Sequence, residues 1–477
     1  VKFTLTFSEA VDNLDVSDFE IKSGGATGSV NAVAPGADEF TYSLTVTLIQ
    51  ASGILDIDLA ATQNLADKSG NALTELVPSS EETYDFSNQP SSVSTALPTQ
   101  LFAGQKLNIS LKTTDPENHN THITRVSLPD WLSLNAPKVS TVVGTDGTGE
   151  RDGRESPILM SPTGTALDND GNLYVLGNNK IRKVTPDGLV TTLAGAGAGD
   201  ANGTGTEARF AGVAQIIFAP DGFLYVTELG NNKIKRVSLN GEVTTFAGVG
   251  VGGQDGDLSV ASFHGPRAIN YHDGKFYISD KNGLRVIDGD GKVSTLSLLD
   301  QDSNPFTFPE ILDFAVTSDG SIYVGASGDG IVHKVGTDMK VSVVAGSIGG
   351  DKDGKALEAQ IGSIIALELD ARGNLYIADA TYRKIKRLDQ QGNVLTIAGN
   401  GNYGFQDGDP AQAEFRNVND VLFVEGGYLL ICDWSNRRIR RLDLFPSLSG
   451  EVPDDISGGV MSITFNLTDA LGLSRNQ

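Results

Sequence analysis

Five polar side chains stand at one level of a segment that recurs along the chain. Gln215, Arg267, Asp313 and Asp420 each lie seven residues ahead of a turn glycine (Gly222, Gly274, Gly320 and Gly427), and Asn419 lies eight ahead of the last. Two carboxylates, a guanidinium and two amides meeting at one level could hold a polar ligand or a cation. They could equally satisfy one another and buried waters. The two remaining copies offer Thr163 with Gly164, and Ile365 with Ala366, at that level. A second series of carboxylates, Glu228, Asp280, Asp379 and Asp433, closes an apolar run in four copies. There the expected role is local, with each carboxylate accepting backbone N–H bonds in the next turn.

Catalysis has less to work with. The five histidines are His119, His122, His264, His272 and His333, and they do not recur at one level. No Gly-x-Ser-x-Gly elbow and no His-Glu-x-x-His is present. Asp168-Asn169-Asp170-Gly171, Asp288-Gly289-Asp290-Gly291 and Asp351-Lys352-Asp353-Gly354 resemble the openings of calcium loops. They lack the ordered distal Glu of an EF-hand, and hairpin or loop turns explain them. Cys432, the single cysteine, sits in an apolar run and is expected to be buried. The expectation is a protein that is not an enzyme.

Basic pairs recur as well: Arg182-Lys183, Lys235-Arg236, Lys386-Arg387, Arg437-Arg438 and Arg440-Arg441. They read as a solvated strand face paired with nearby carboxylates, with an RNA- or polyanion-binding surface as the sharper alternative. Net charge is −24, and residues 138–442 hold 29 Lys/Arg against 38 Asp/Glu, a balance of −9. That balance argues against sequence-independent binding of nucleic acid or of an anionic membrane.

The elements that position these groups are short strands. Turn glycines fall at 171, 222, 274, 320, 373 and 427, with spacings of 51, 52, 46, 53 and 54 residues. A period of this size marks a repeat architecture. Each copy reads as four short strands joined by Gly turns, an up-and-down sheet that buries both faces only when arranged radially with its neighbours. The expectation is a six-bladed β-propeller. The sixth copy stops one strand short at Leu442, and the missing strand stands upstream as 138–144, Lys138-Val139-Ser140-Thr141-Val142-Val143-Gly144. That strand is expected to close the ring and remove its open edges.

The segments Asp170-Gly171-Asn172-Leu173-Tyr174-Val175, Asn179-Lys180-Ile181-Arg182-Lys183-Val184 and Val190-Thr191-Thr192-Leu193-Ala194-Gly195 resemble NHL repeats. So do the Asp-Gly and Ala-x-Phe elements at Asp255-Gly256 with Ala261-Ser262-Phe263 and at Asp407-Gly408 with Ala413-Glu414-Phe415. The resemblance covers about 305 residues, 138–442. The third copy departs most: Leu296-Ser297-Leu298-Leu299 replaces the Ala-Gly ending, and Pro305-Phe306-Thr307-Phe308-Pro309 follows. The amidating lyase that resembles NHL proteins uses a metal held by His. Some other six-bladed propellers hydrolyse lactones with a calcium held by channel carboxylates and Asn. The resemblance therefore keeps a metal-dependent hydrolase near Asp313 and Asp420 as an alternative.

The flanks alternate at period two between Gly, Asn and Asp clusters, the spacing of β-sandwiches. Residues 1–88 resemble a bacterial Ig-like domain. There Asp67, Ser69 and Asn71 offer oxygens for calcium, while an Asx-type turn before Gly70 explains them as well. Residues 89–137 resemble the first half of a cadherin-like (dystroglycan-type) Ig domain through Leu128-Pro129-Asp130-Trp131-Leu132-Ser133-Leu134. The phrase that normally follows is found beyond the repeats, as Ser447-Leu448-Ser449-Gly450 within 443–477. The fold class expected is all-β, with the propeller 138–442 inserted into a discontinuous sandwich of 89–137 plus 443–477. Both ends read as cuts within a longer polypeptide. No apolar run reaches membrane-spanning length.

The function expected is an extracellular binding or adhesion module of a large bacterial surface or secreted protein. The propeller serves as head, and its partners are a protein or glycan ligand and the neighbouring Ig-like domains of the same chain. No nucleic-acid partner is expected, and no cofactor is required, calcium being the one candidate. A building block of a surface filament is the structural alternative.

Overall fold

The structure is a computed structural model. It describes residues 132–451 except 148, 329 and 348. In the flanks it describes 2–6, 11–12, 14–24, 27–35, 41–50, 52–59, 66–67, 84–87, 92–93, 106–111, 113–114, 122–127, 464–468 and 474–476. The chain divides into two compact units, 1–94 with 113–129 and 460–477, and 95–112 with 130–459.

In the second unit six antiparallel sheets form the blades of a propeller. Their inner strands are Pro162–Leu167, Val213–Phe218, Ile269–His272, Ile311–Val316, Ile364–Leu369 and Val418–Val424. We number the blades 1 to 6 in that order. The second strands are largely buried, and Leu173–Gly177 and Leu375–Asp379 are buried at every residue, because each is covered on both faces by neighbouring blades. Six apolar clusters fill the six gaps between blades. In one of them Leu430, Cys432 and Ile439 of blade 6 pack on Leu173, Val175 and Val184 of blade 1. Val139–Val143 is the outer strand of blade 6, paired with Arg438–Asp443 through Val139↔Leu442 and Thr141↔Arg440.

The Ala-Gly endings have a steric cause. Gly248 has φ +100°, and a Cβ there would meet the carbonyl oxygen of Asn232 at 2.5 Å. Asn232 itself is left-handed, with φ 56°. A third-strand turn and a fourth-strand end thus cross too closely for any side chain.

The blades differ from the four-strand expectation at their outer edges. The Asp-Gly loops run as a fifth strand along the next blade: Gly203–Thr204 on blade 2, Gly256–Asp257 on blade 3 and Gly354–Lys355 on blade 5. Blade 4, entered through Pro305–Phe306, has four.

Strands that precede the propeller in sequence pair with strands that follow it. In the second unit Ser447–Glu451 lies between Lys106–Ser110 and Leu132–Asn135. In the first unit His122–Ser127 pairs with Thr464–Thr468. The first unit also holds the antiparallel sheets of Lys2–Thr6, Thr41–Gln50 and Thr27–Pro35, and of Phe19–Gly24, Ser52–Leu59 and Tyr84–Ser87.

Candidate functional site at the channel mouth

The inner strands all begin at one end of the ring, so residues seven ahead of each turn glycine meet around the central channel. A cavity of about 190 Å³ there is lined by Gln215, Arg267, Asp313, Asn419 and Asp420, with Thr163 and others. All five polar residues singled out in the sequence therefore share one cavity wall.

Their hydrogen bonds run between blades. Asp420 Oδ2 in blade 6 accepts the Thr165 amide of blade 1 at 2.8 Å and the Thr165 hydroxyl at 3.0 Å. Asp313 Oδ2 in blade 4 accepts the Leu367 amide of blade 5 at 2.8 Å. Gln215 Oε1 in blade 2 accepts the Ile269 amide of blade 3 at 2.6 Å, and its Nε2 donates to Asp313 Oδ1 at 3.3 Å. Asn419 Nδ2 donates to the Thr163 carbonyl at 3.3 Å, and Arg267 Nε to the Leu312 carbonyl at 3.2 Å. These side chains bind the inner strands to one another, so the mutual-satisfaction reading of the level holds for much of its polar capacity.

A sixth member, Glu368, was not singled out. Its Oε1 accepts the Phe423 amide of blade 6 at 3.1 Å. It stands two residues beyond Ala366, and strand alternation puts both on the face of the inner strand that meets blade 6. That alternation is the signal that could have found it.

Burial dominates the electrostatics. It pushes Asp313 up to about 7, against the pull of the Leu367 amide, Gln215 and Arg267. Asp420 rises to about 7 through burial and then through repulsion from Asp313. Glu368 rises to about 8 through burial, with Asp420 and Asp313 adding repulsion. The channel is a low-dielectric site that favours neutral carboxyls. Cys432 is buried, 4.0 Å from Asp420 Oδ2, and its thiol is pushed up by burial and by that carboxylate. Among the described residues no three His, Cys, Asp or Glu side chains stand close enough to hold a metal ion. The Asp67 backbone lies in the short strand Ala66–Asp67, whereas Ser69 and Asn71 lie outside the described residues.

The second-strand carboxylates are structural. Asp379 accepts the Tyr382 amide in the next turn at 3.0 Å and the Gly362 amide, in the loop entering the blade, at 2.8 Å. Asp433 accepts the Arg416 amide at 3.1 Å and pairs with Arg440 at 3.1 Å. Asp168, in a calcium-like opening, has its oxygens taken by the Asp170 and Asn172 amides, the Asn172 side chain and the Tyr174 hydroxyl.

The basic pairs overturn one expectation. They do pair with carboxylates, but one member of each pair (Arg182, Lys235, Lys386, Arg438 and Arg440) is buried rather than solvated. Lys235, Lys386 and Arg440 are fully or almost fully buried at the outer edge of their blades. Lys386 Nζ bonds Asp351 and Asp353, each at 2.8 Å, and Asp353 also accepts the Thr396 amide at 2.7 Å. Arg285 repeats the device with Asp255 at 2.7 Å, Arg440 with Asp407 at 2.6 Å, and Arg182 with Asp152. The trailing members cover aromatic rings, Arg236 over Phe223 at 4.6 Å and Arg441 over Tyr428 at 3.9 Å. These cations clamp the Asp-Gly loop to the blade. In blade 4 the equivalent residue is His333, packed against Phe308 with ring centroids 5.2 Å apart.

Comparison with known proteins agrees on the propeller. No known family profile matches the chain. It is 25% identical over 381 residues to Teneurin-3 of Danio rerio, across 65% of this chain and 13% of that protein. It is 23% identical over 378 residues to NHL repeat-containing protein 2 of Gallus gallus, across 68% of this chain and 51% of that one. The chain thus spans about an eighth of the first and about half of the second. An auxiliary nutrient binding protein from Bacteroides thetaiotaomicron VPI-5482 has a similar structure, with a TM-score of 0.50 at 16% identity, over 93% of this chain and 94% of that one. The molecule is an all-β protein with a six-bladed propeller, similar in sequence to an NHL repeat-containing protein.

Proposed function

We propose that this chain is a non-enzymatic binding module whose propeller is the recognition head, and that its ligand, a protein or a glycan, meets the channel-mouth end. One observation carries this reading. Leu229, Val249, Val251, Tyr403, Phe405 and Trp434 are exposed, and all six lie on loops that leave the second or fourth strands at that end. Tyr403 and Val251 are each more than half exposed, at 61% and 67%. Val142, Val260, Val343 and Leu357 are exposed away from those loops, but the exposed aromatic members, Tyr403, Phe405 and Trp434, all lie at this end. Exposed apolar side chains concentrated at one end of a repeat protein mark an interaction surface. The channel residues support binding over catalysis, because their carboxylates are committed to backbone amides. The nutrient-binding protein of similar structure is in keeping with this class, although likeness at that identity speaks only to fold.

We further propose that the propeller is inserted into a discontinuous sandwich of 89–137 and 443–477, and that the whole belongs to a long bacterial surface or secreted protein with Ig-like spacers. The pairing of Lys106–Ser110 with Ser447–Glu451 and of His122–Ser127 with Thr464–Thr468 supports the insertion.

The test is capture by the full chain on a glycan array and on immobilised cell-surface extracts. Val251→Ser, Tyr403→Ser and Trp434→Ser are made together and compared with the parent at equal folded fraction. Loss of a captured ligand in the triple variant supports the head. Capture that the triple variant leaves unchanged sinks it.

A further inference from the structure

We propose that the cleft between blades 2, 3 and 4 is a site for a small ligand bearing a carboxylate on an apolar body; this rests on the reading of the channel-mouth end as the binding face. The cleft has a volume of about 300 Å³ and is lined by Leu229, Val251, His264, Arg267, Lys281 and Glu310, among others. That volume is at the small end of ligand pockets, enough for a single ring or a short branched chain.

The argument starts from the repeat. In blades 2 to 6 the residue after the second strand donates its amide to a fixed position in the loop before the inner strand. The pairs are Leu229 to Gly212, Lys281 to His264, Ser327 to Glu310, Ala380 to Ser363 and Trp434 to Asn417. These bonds align the blades without reference to sequence. At the first position of the pair only blade 3 of these five carries a cation, Lys281, and at the second only blade 3 carries an imidazole, His264. At the channel level blades 1 to 6 carry Gly164, Gln215, Arg267, Asp313, Ala366 and Asp420, so the only cation is again in blade 3. Three nitrogen-bearing side chains therefore depart from the repeat in one blade, and all three line one cleft.

The fold does not use them as it uses its other cations. Lys386 and Arg440 are buried and doubly paired, whereas Lys281 is exposed, and no carboxylate stands in ion-pair range of it among the described residues. Arg267 has only a long ion pair, 3.9 Å to Glu310, whose side chain is half exposed. Asp280, at the back of the cleft, is no competitor, since it accepts the His264 and Asn282 amides and pairs with Arg285. Guanidinium and ammonium groups that line one cleft with an aliphatic wall of Leu229 and Val251, Glu310 being the half-exposed carboxylate beside them, match a carboxylate with an apolar body. Arg267 would supply planar donors, Lys281 a point charge, and the wall the contact area. In a domain of negative balance such a pocket selects anions locally rather than by overall attraction.

The experiment is calorimetric titration of the full chain with sodium D-glucuronate and with N-acetyl-L-leucine. D-glucose and N-acetyl-L-leucinamide serve as neutral counterparts, and inorganic phosphate as a control. Lys281→Ala, His264→Ala and Lys275→Ala are titrated in parallel. The expected result is that at least one of the two acids binds, and that its neutral counterpart binds at least about tenfold more weakly. Lys281→Ala and His264→Ala should each weaken binding by about threefold to tenfold, and Lys275→Ala, an exposed cation at the other end of blade 3, by less than about twofold. Which acid binds distinguishes a sugar-derived from an amino-acid-derived carboxylate. Binding of neither acid, equal binding of acid and neutral, equal binding of phosphate, or indifference to both Lys281→Ala and His264→Ala overturns the site. If the capture experiment on the triple variant succeeds while neither acid binds, the binding face stands and the carboxylate site falls.

Discussion

Gln215 reaches from blade 2 toward blade 4, its Nε2 3.3 Å from Asp313 Oδ1, while its Oε1 holds the Ile269 amide of blade 3 at 2.6 Å. One amide side chain thereby couples three blades. The same carboxylate of Asp313 holds the Leu367 amide of blade 5. The channel mouth is therefore a polar ring whose members orient one another, and its charge state bears on the stability of the propeller.

That ring sets a pH dependence. Asp313, Asp420 and Glu368 have folded pKa values raised to about 7, 7 and 8, so the folded state holds protons the unfolded chain has released. Stability from these groups is full below the unfolded carboxylate range near 4 and is lost as pH rises toward 7 to 8. Asp420→Asn should therefore flatten the fall in unfolding free energy between pH 5 and pH 8, by on the order of 1–4 kcal/mol. Urea unfolding at the two pH values checks this. Parallel slopes for parent and variant would falsify the assignment.

The buried clamp should be costly to break from its cationic side. Lys386→Ala leaves Asp351 and Asp353 without their shared ammonium and opens a cavity between strand and loop. A loss of about 3–5 kcal/mol is expected. Asp353→Asn keeps the shape and the Thr396 contact and should cost about 1 kcal/mol. Chemical denaturation of both variants decides whether the clamp acts as argued.

Ring closure depends on Val139, which is buried and exchanges backbone bonds with Gly408. Val139→Asp places a charge in the apolar gap between blades 5 and 6 and should destabilise by about 3 kcal/mol or more. Hydrogen exchange should rise first in 428–443, the strands beside the latch. Protection there equal to the parent's would show that the outer strand does not hold the blade.

Gly248→Ala tests the steric account of the Ala-Gly endings. The new methyl would stand 2.5 Å from the Asn232 carbonyl at φ +100°. A loss of about 1–3 kcal/mol is expected. Gly222→Ala, with φ +84° and nothing within 4 Å of the added carbon, should lose less. A thermal melt of the pair separates the close crossing from the backbone preference alone.

Much of the site was legible because the repeat supplies its own ruler. Counting back from Gly222, Gly274, Gly320 and Gly427 picks out Gln215, Arg267, Asp313 and Asp420, and these share one cavity wall. Glu368 escaped because it sits one strand step further along, where only the alternation of side chains reveals it. The burial of Lys235, Lys386 and Arg440 escaped for a different reason. A Lys-x-Lys-Arg strand reads as solvated until the Asp-Gly loop, some 30 residues earlier, is seen to fold along its blade. The gathering of His264, Arg267 and Lys281 likewise depends on a backbone bond between the second strand's end and the preceding loop.

The sequence alone determined the strands, the turns, the count of blades and the level of the channel residues, because those follow from local dihedral preferences and a period of about 50 residues. Tertiary structure decided which charges are buried, which carboxyls have their pKa raised and which cations face solvent. Those properties depend on the dielectric and the partners brought by neighbouring blades, and no local pattern carries them.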